Sequence, residues 1–118
     1  MKTIEGNLVD VVNREIYPST IKISERKIVS IERNSNSYDR YIMPGFVDAH
    51  VHVESSMLLP VEFSNIVTRL GTVAIVNDPH EIANVLGMEG VKKMMENSEK
   101  AALKFYYGIP SLTGLQEK

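Results

Sequence analysis

Between Phe46 and Tyr107, short β-branched runs alternate with stretches of helical spacing, and this alternation constrains the fold more than any other property of the chain. Phe46 to Val53 has the composition of a strand. Pro60 to Leu70 places Val61, Ile66, Val67 and Leu70 near helical spacing, with a proline suited to the first turn and Gly71 suited to the helix end. Thr72 to Val76 is a continuous β-branched run of the kind covered on both faces of a sheet. Met88, Val91 and Met95 align along a second helix, Met88 to about Ser98, and Leu103 to Tyr107 forms a third strand, ended by Gly108 and Pro110. Gly87 and Gly90 argue against an earlier helix start, so Asp78 to Leu86 reads as an extended loop with a helical turn. Strand, helix, strand, helix, strand is the order of right-handed βαβ units in a parallel sheet.

The preceding segment differs. From Ile4 to Ile31 the apolar residues fall in short runs with turns expected at Asn13-Arg14, Pro18-Ser19 and Ser24-Glu25. Ile4, Gly6 and Leu8, and later Ile21 and Ile23, alternate with polar neighbours, the pattern of strands buried on one face. This predicts a small antiparallel, β-sandwich-like segment over residues 1–40. The polar run Arg33-Asn34-Ser35-Asn36-Ser37 marks the boundary with the α/β segment, residues 41–118.

With 43% hydrophobic and 24% charged residues, the 118-residue chain has an ordinary globular composition. A formal charge of −2 with no basic stripe argues against a nucleic-acid partner. The opening MKTIEGNLVDVV lacks the apolar core of a secretory signal, and no window reaches the roughly 18 apolar residues of a membrane span, so neither a membrane nor export is expected and the cytoplasm is. Cysteine is absent, so a metal would have to be held by His, Asp and Glu.

His50 and His52 are one residue apart near the end of the first predicted strand, and period-two geometry turns both imidazoles to one face. Two neutral imidazoles side by side can chelate a divalent ion; the plainer reading is a pair of half-exposed strand histidines. Asp48, His50, His52 and Glu54 share one parity, and polar side chains on a buried face need a partner or an ion. Asp48 then suits a carboxylate that orients a ligand histidine. Asp78, His80 and Glu81 cluster after the second strand, where they offer oxygen and imidazole donors; alternatively Asp78 opens a turn before Pro79 and the others are solvated. Glu54 either faces such a centre or starts a loop with Ser55 and Ser56 as caps. Met88, Met94, Met95, Tyr106 and Tyr107 read as core, and no phosphate-binding glycine loop or nucleophile elbow is present.

The run PGFVDAHVHVESS resembles the first barrel strand of the amidohydrolase superfamily, whose H-x-H pair contributes ligands to a metal centre. Its continuation, Glu54-Ser55-Ser56, and the later run VNDPHEIANV resemble the adenine deaminase family within it. The resemblance reaches from the β segment through about Pro110. It implies a (β/α)₈ barrel, metal ligation by His50, His52, Asp78 and His80, catalytic roles for Glu54 and Glu81, and iron, manganese or zinc as the ion. It also implies adenine as substrate: water activated by the ion adds at C6, a carboxylate or histidine protonates the amine, and hypoxanthine and ammonia leave. Another amidohydrolase, such as a cyclic-amide hydrolase, is the alternative within the superfamily.

A full barrel takes ~250 residues and draws its site from the ends of several strands. About three of eight strands are expected here, so the resemblance predicts an incomplete barrel, truncated or in need of a partner chain or a second copy, and inactive alone. A non-catalytic remnant or a small metal-binding protein are the readings of a different class.

Overall fold

The computed structural model describes residues 1–109. The polar ending Leu112 to Lys118, and Pro110 as a strand stop, lie outside the described residues. The chain divides into two compact units, Met1–Pro44 and Gly45–Lys118. Among the described residues, no helix is long and apolar enough to cross a membrane.

The first unit is a four-stranded sheet of β1 (Lys2–Asp10), β2 (Glu15–Ser24), β3 (Lys27–Arg33) and β4 (Tyr41–Ile42), in the order β3-β2-β1-β4. The first three are antiparallel, and β4 pairs with β1 in parallel, which the residue pattern did not foretell. Directly opposed residues share a face. Ile4 faces Ile21, and Ile21 faces Ile31, so one face is apolar, while Glu5, Thr20, Lys22 and Glu32 carry the other.

Turns form at two of the three expected places. Asp10 builds the first: its Oδ1 accepts the N–H groups of Val12 and Asn13, letting Arg14 adopt a positive φ. No turn forms at Pro18-Ser19, which lies within β2 opposite Asn7 and Gly6. A proline cannot donate to a ladder, but β3 ends at Arg33 opposite Ser19, and beyond that end Pro18 only accepts, its carbonyl taking the Asn34 N–H at 3.1 Å.

The second unit is a three-stranded parallel sheet of β5 (Phe46–Val51), β6 (Thr72–Asn77) and β7 (Lys104–Tyr107), with β6 in the centre. Helix α1 (Pro60–Val67), extended by a 3₁₀ turn Thr68–Leu70, connects β5 to β6, and α2 (His80–Ser98) connects β6 to β7. Gly71 closes the first connection with φ 99°, a left-handed helix end that favours glycine. The core is Val53, Ile75, Met94 and Leu103, with Phe63, Val67, Ile82 and Phe105 packed around it.

Several expectations about faces and bounds need correction. Strand β5 stops at Val51, and Val53–Ser56 form a 3₁₀ turn, so strand parity does not extend to Glu54. Helix α1 buries Pro60 and Ser64, with Phe63 and Val67 against the core, leaving Ile66 and Leu70 exposed. Helix α2 begins at His80, eight residues early, because Gly87 does not stop the helix but kinks it, with φ 62° and ψ −155°. Its buried face is Ala83, Gly90, Val91 and Met94, whereas Met88 and Met95 are exposed, as is Tyr106 on β7.

Both helices receive caps from elsewhere in the unit. Pro60 opens α1, whose Val61 N–H is accepted by Asn97 Oδ1 from the far end of α2 at 3.0 Å. The buried Ser64 Oγ accepts the Leu103 N–H at 3.0 Å, tying α1 to the start of β7. A buried helix end needs such partners for its free N–H groups.

Candidate metal centre

The carboxyl ends of β5 and β6 lie side by side, and the chain leaving each carries the polar residues. Between Asp48 and Val51 the register of β5 against β6 slips by one residue, a bulge that contains His50. The slip ends where the Asp78 N–H donates to the Val51 carbonyl at 2.9 Å. Behind it, the fully buried Asn77 accepts the Val53 N–H through Oδ1 at 3.0 Å, and its carbonyl accepts the Gly108 N–H at 2.8 Å. Asn77 thus fastens the exits of all three strands together. Sequence reasoning gave it no role; the available signal was an amide ending an otherwise apolar strand.

In this frame His50 Nε2 and His52 Nε2 stand 3.1 Å apart, their rings edge to face. His52 Nδ1 lies 2.8 Å from the Asp78 carbonyl oxygen. A carbonyl only accepts, so Nδ1 carries a proton, and Nε2, which faces His50, is the nitrogen left to offer a lone pair to an ion. One neighbour thereby settles the tautomer, the usual arrangement of a ligand imidazole.

Asp78 completes the group: one donor atom from each of His50, His52 and Asp78 falls within 4.8 Å of the others. Asp78 Oδ2 accepts from His80 Nδ1 at 3.2 Å, while Oδ1 is buried with no hydrogen-bond partner among the described residues. The His80 ring is 4.5 Å from that of His52, centroid to centroid. Asp48 is placed otherwise than expected. Its Oδ1 accepts the backbone N–H of His50 at 3.1 Å, so it braces the bulge and does not bond an imidazole.

The two glutamates stand beside this group. Glu54, in the 3₁₀ turn, accepts the N–H groups of Glu81 and Ile82 on one oxygen, Oε1, at 3.2 and 3.3 Å. Its Oε2 is buried without a partner among the described residues. Glu81 Oε2 accepts the Ser55 hydroxyl at 2.5 Å.

The donors suit a divalent ion. Two imidazole nitrogens at ordinary ligand distances from one ion, tetrahedral to octahedral, stand about 2.9–3.4 Å apart, and the observed Nε2 separation of 3.1 Å falls inside that range. An unpartnered buried carboxylate oxygen is costly in apolar surroundings and is relieved by a cation. Imidazole and carboxylate donors accept zinc, manganese and iron alike.

A profile of the Amidohydrolase family matches residues 41–115. The chain belongs to the amidohydrolase family. The matched segment contains the whole parallel sheet and every side chain of the His50–His52–Asp78 group, and metal-dependent chemistry is typical of the amidohydrolases. Curated relatives of this amidohydrolase include an adenine deaminase from Borreliella burgdorferi, 50% identical over 108 residues. Others come from Sulfurovum sp., 54% identical over 114 residues, and Methanosarcina barkeri, 48% identical over 111. These alignments cover 92%, 93% and 94% of this chain and 20%, 21% and 20% of the relatives. The chain therefore spans about a fifth of the length of the curated relatives it matches.

Proposed function

We propose that this amidohydrolase chain provides one side of the metal centre of an adenine deaminase, hydrolysing adenine to hypoxanthine and ammonia. The carrying observation is the pinned tautomer. His52 Nδ1 is committed to the Asp78 carbonyl, so Nε2 faces His50 Nε2 at 3.1 Å with an unpartnered Asp78 oxygen in the same group. Identities of about half with relatives named adenine deaminase support the substrate.

In this reading His50, His52 and Asp78 hold a divalent ion, which supplies Lewis acidity and water activation when bound. His80 keeps Asp78 turned inwards through Nδ1–H, leaving its own Nε2 for a second ion or for the substrate edge. Glu81, held by the Ser55 hydroxyl, carries a proton to the departing amine in this reading. The three parallel strands act as part of a (β/α)₈ barrel whose other strands contribute the remaining ligands.

The test is a chimera in which residues 1–109 replace the matching segment of the Sulfurovum relative. With manganese or iron supplied, it should release ammonia from adenine, and His50→Ala with His52→Ala should lower that rate by at least about a thousandfold. A chimera that folds and binds metal yet ignores adenine while opening a cyclic amide would replace this reading with the other amidohydrolase chemistry.

A further inference from the structure

Helix α2 carries the second half of the polar group at its start, and it has no cap of its own. The residue at the N-cap is Pro79, which makes no side-chain cap bond. An N-cap side chain ordinarily accepts the N–H of the second or third helical residue. Here those residues are Glu81 and Ile82, and both N–H groups are taken by Glu54 Oε1, which belongs to the 3₁₀ turn after β5, 27 and 28 positions earlier in the chain.

We propose that Glu54 is a positioning residue, a cap supplied across the strand exits that clamps the Asp78–His80 side of the centre to the His50–His52 side; this rests on the metal-site reading above. Glu54 is two residues past His52, and the N–H groups that it holds, those of Glu81 and Ile82, are three and four residues past Asp78 and directly follow His80. Its carboxylate is therefore bonded to the opposite segment within a turn of every candidate ligand. The negative charge also suits the positive end of the helix. Ser55 reinforces the clamp by donating to Glu81 Oε2, and His52 does so through the Asp78 carbonyl. Oε1 is bonded to two N–H groups of the opposite segment, so the cap uses this oxygen alone and leaves Oε2 outside it. The part assigned to Glu54 is to hold the two segments together through Oε1.

The experiment compares Glu54→Ala with Glu54→Gln in the complete chain, by amide hydrogen exchange without metal and by manganese titration. Glutamine keeps a carbonyl-type acceptor at Oε1 and drops the charge. In Glu54→Ala the Glu81 and Ile82 amides should exchange about five- to tenfold faster, and manganese should bind about 10–100-fold more weakly. Glu54→Gln should stay within about threefold of the unsubstituted chain in both, as the acceptor is retained. Unchanged exchange in Glu54→Ala would overturn the cap. A glutamine variant with slow exchange but manganese binding as weak as in Glu54→Ala would show that the charge itself is needed, and would return Glu54 to the ligands. If exchange behaves as expected but the unsubstituted chain binds manganese no better than His50→Ala with His52→Ala, the metal-site reading fails and the cap is structural only.

Discussion

Tyr107, at the end of β7, shows how the surroundings of one side chain become a pH dependence. Burial pushes its phenol above the ordinary tyrosine range, and the negative charge of Glu54 adds to that, while its hydroxyl donates to the Met94 carbonyl at 3.1 Å. A raised folded-state pKa means that the neutral phenol is favoured by folding. The associated stability is complete below the unfolded pKa and disappears as pH rises through the folded one. Denaturant titrations from neutral to alkaline pH should show this loss above the usual tyrosine range. Tyr107→Phe should remove that part of the pH dependence and cost about 1 kcal/mol at neutral pH through the lost hydrogen bond. An alkaline limb unchanged in Tyr107→Phe would assign the dependence to another group. At the acid end, Asp10 is held below the usual carboxylate range, first by the Asn13 backbone N–H and then by the Asn13 side chain. Its contribution to the first hairpin is present above the unfolded pKa and is lost as pH falls through the depressed folded value. The Asp10 carboxyl signal in an NMR titration should accordingly show a midpoint below that of a model peptide.

At the scale of elements, the approach of β5 to β6 depends on one glycine. A Cβ at Gly45 would sit 2.1 Å from Val73 Cγ1 and 3.0 Å from its Cβ, far inside van der Waals contact. Val73 is the additional residue where the register slips between Phe46 and Val47, so the bulged strand presses on the start of its neighbour. Valine has little rotamer freedom with which to yield. Gly45→Ala should destabilise the second unit by about 1–3 kcal/mol, the usual range for overpacking. Val73 is 49% exposed, so Val73→Ala alone should cost little and should recover much of the loss in the double variant. Additive losses in a double-mutant cycle measured by urea unfolding would rule out the contact as their cause.

On the scale of the whole molecule, the described residues bring together three donor residues from two strand exits. Catalytic metal sites use at least three protein ligands fixed in place and a shaped, dry cavity around the open position. The 118 residues by themselves should therefore bind manganese, iron or zinc but release no ammonia from adenine at an enzyme-like rate. Ammonia detection with the purified chain, beside the His50→Ala, His52→Ala control, checks this; metal-dependent turnover lost in the control would show that the three donors suffice. Binding to the folded state alone should also raise the melting temperature with ion concentration.

Periodicity and punctuation are local quantities, and they carried much of the architecture. The β-branched run Thr72 to Val76 is the central strand β6, Leu103 to Tyr107 contains β7, and Pro60 and Gly71 bracket the first connection. The histidine pair and the Asp78-His80-Glu81 cluster were singled out by residue type and spacing. The failures share a cause: each turned on a contact with a distant residue. Gly87 reads as a helix stop, but packing of Ala83, Val91 and Met94 keeps the helix on both sides of a kink. Pro18 reads as a turn, but the end of β3 leaves it no donor to supply. Ile66 and Met95 match helical spacing as well as Phe63 and Met94 do, and only the position of the sheet decides which face is buried. Glu54 and Asp48 have the chemistry of site residues, yet their partners are backbone N–H groups whose positions depend on a bulge and on a helix start 26 residues away. Composition and spacing determine which elements form, because those preferences act within a few residues. Which groups meet at the ends of β5 and β6 depends on register, cross-strand bonds and burial, and these exist only once the sheet has assembled.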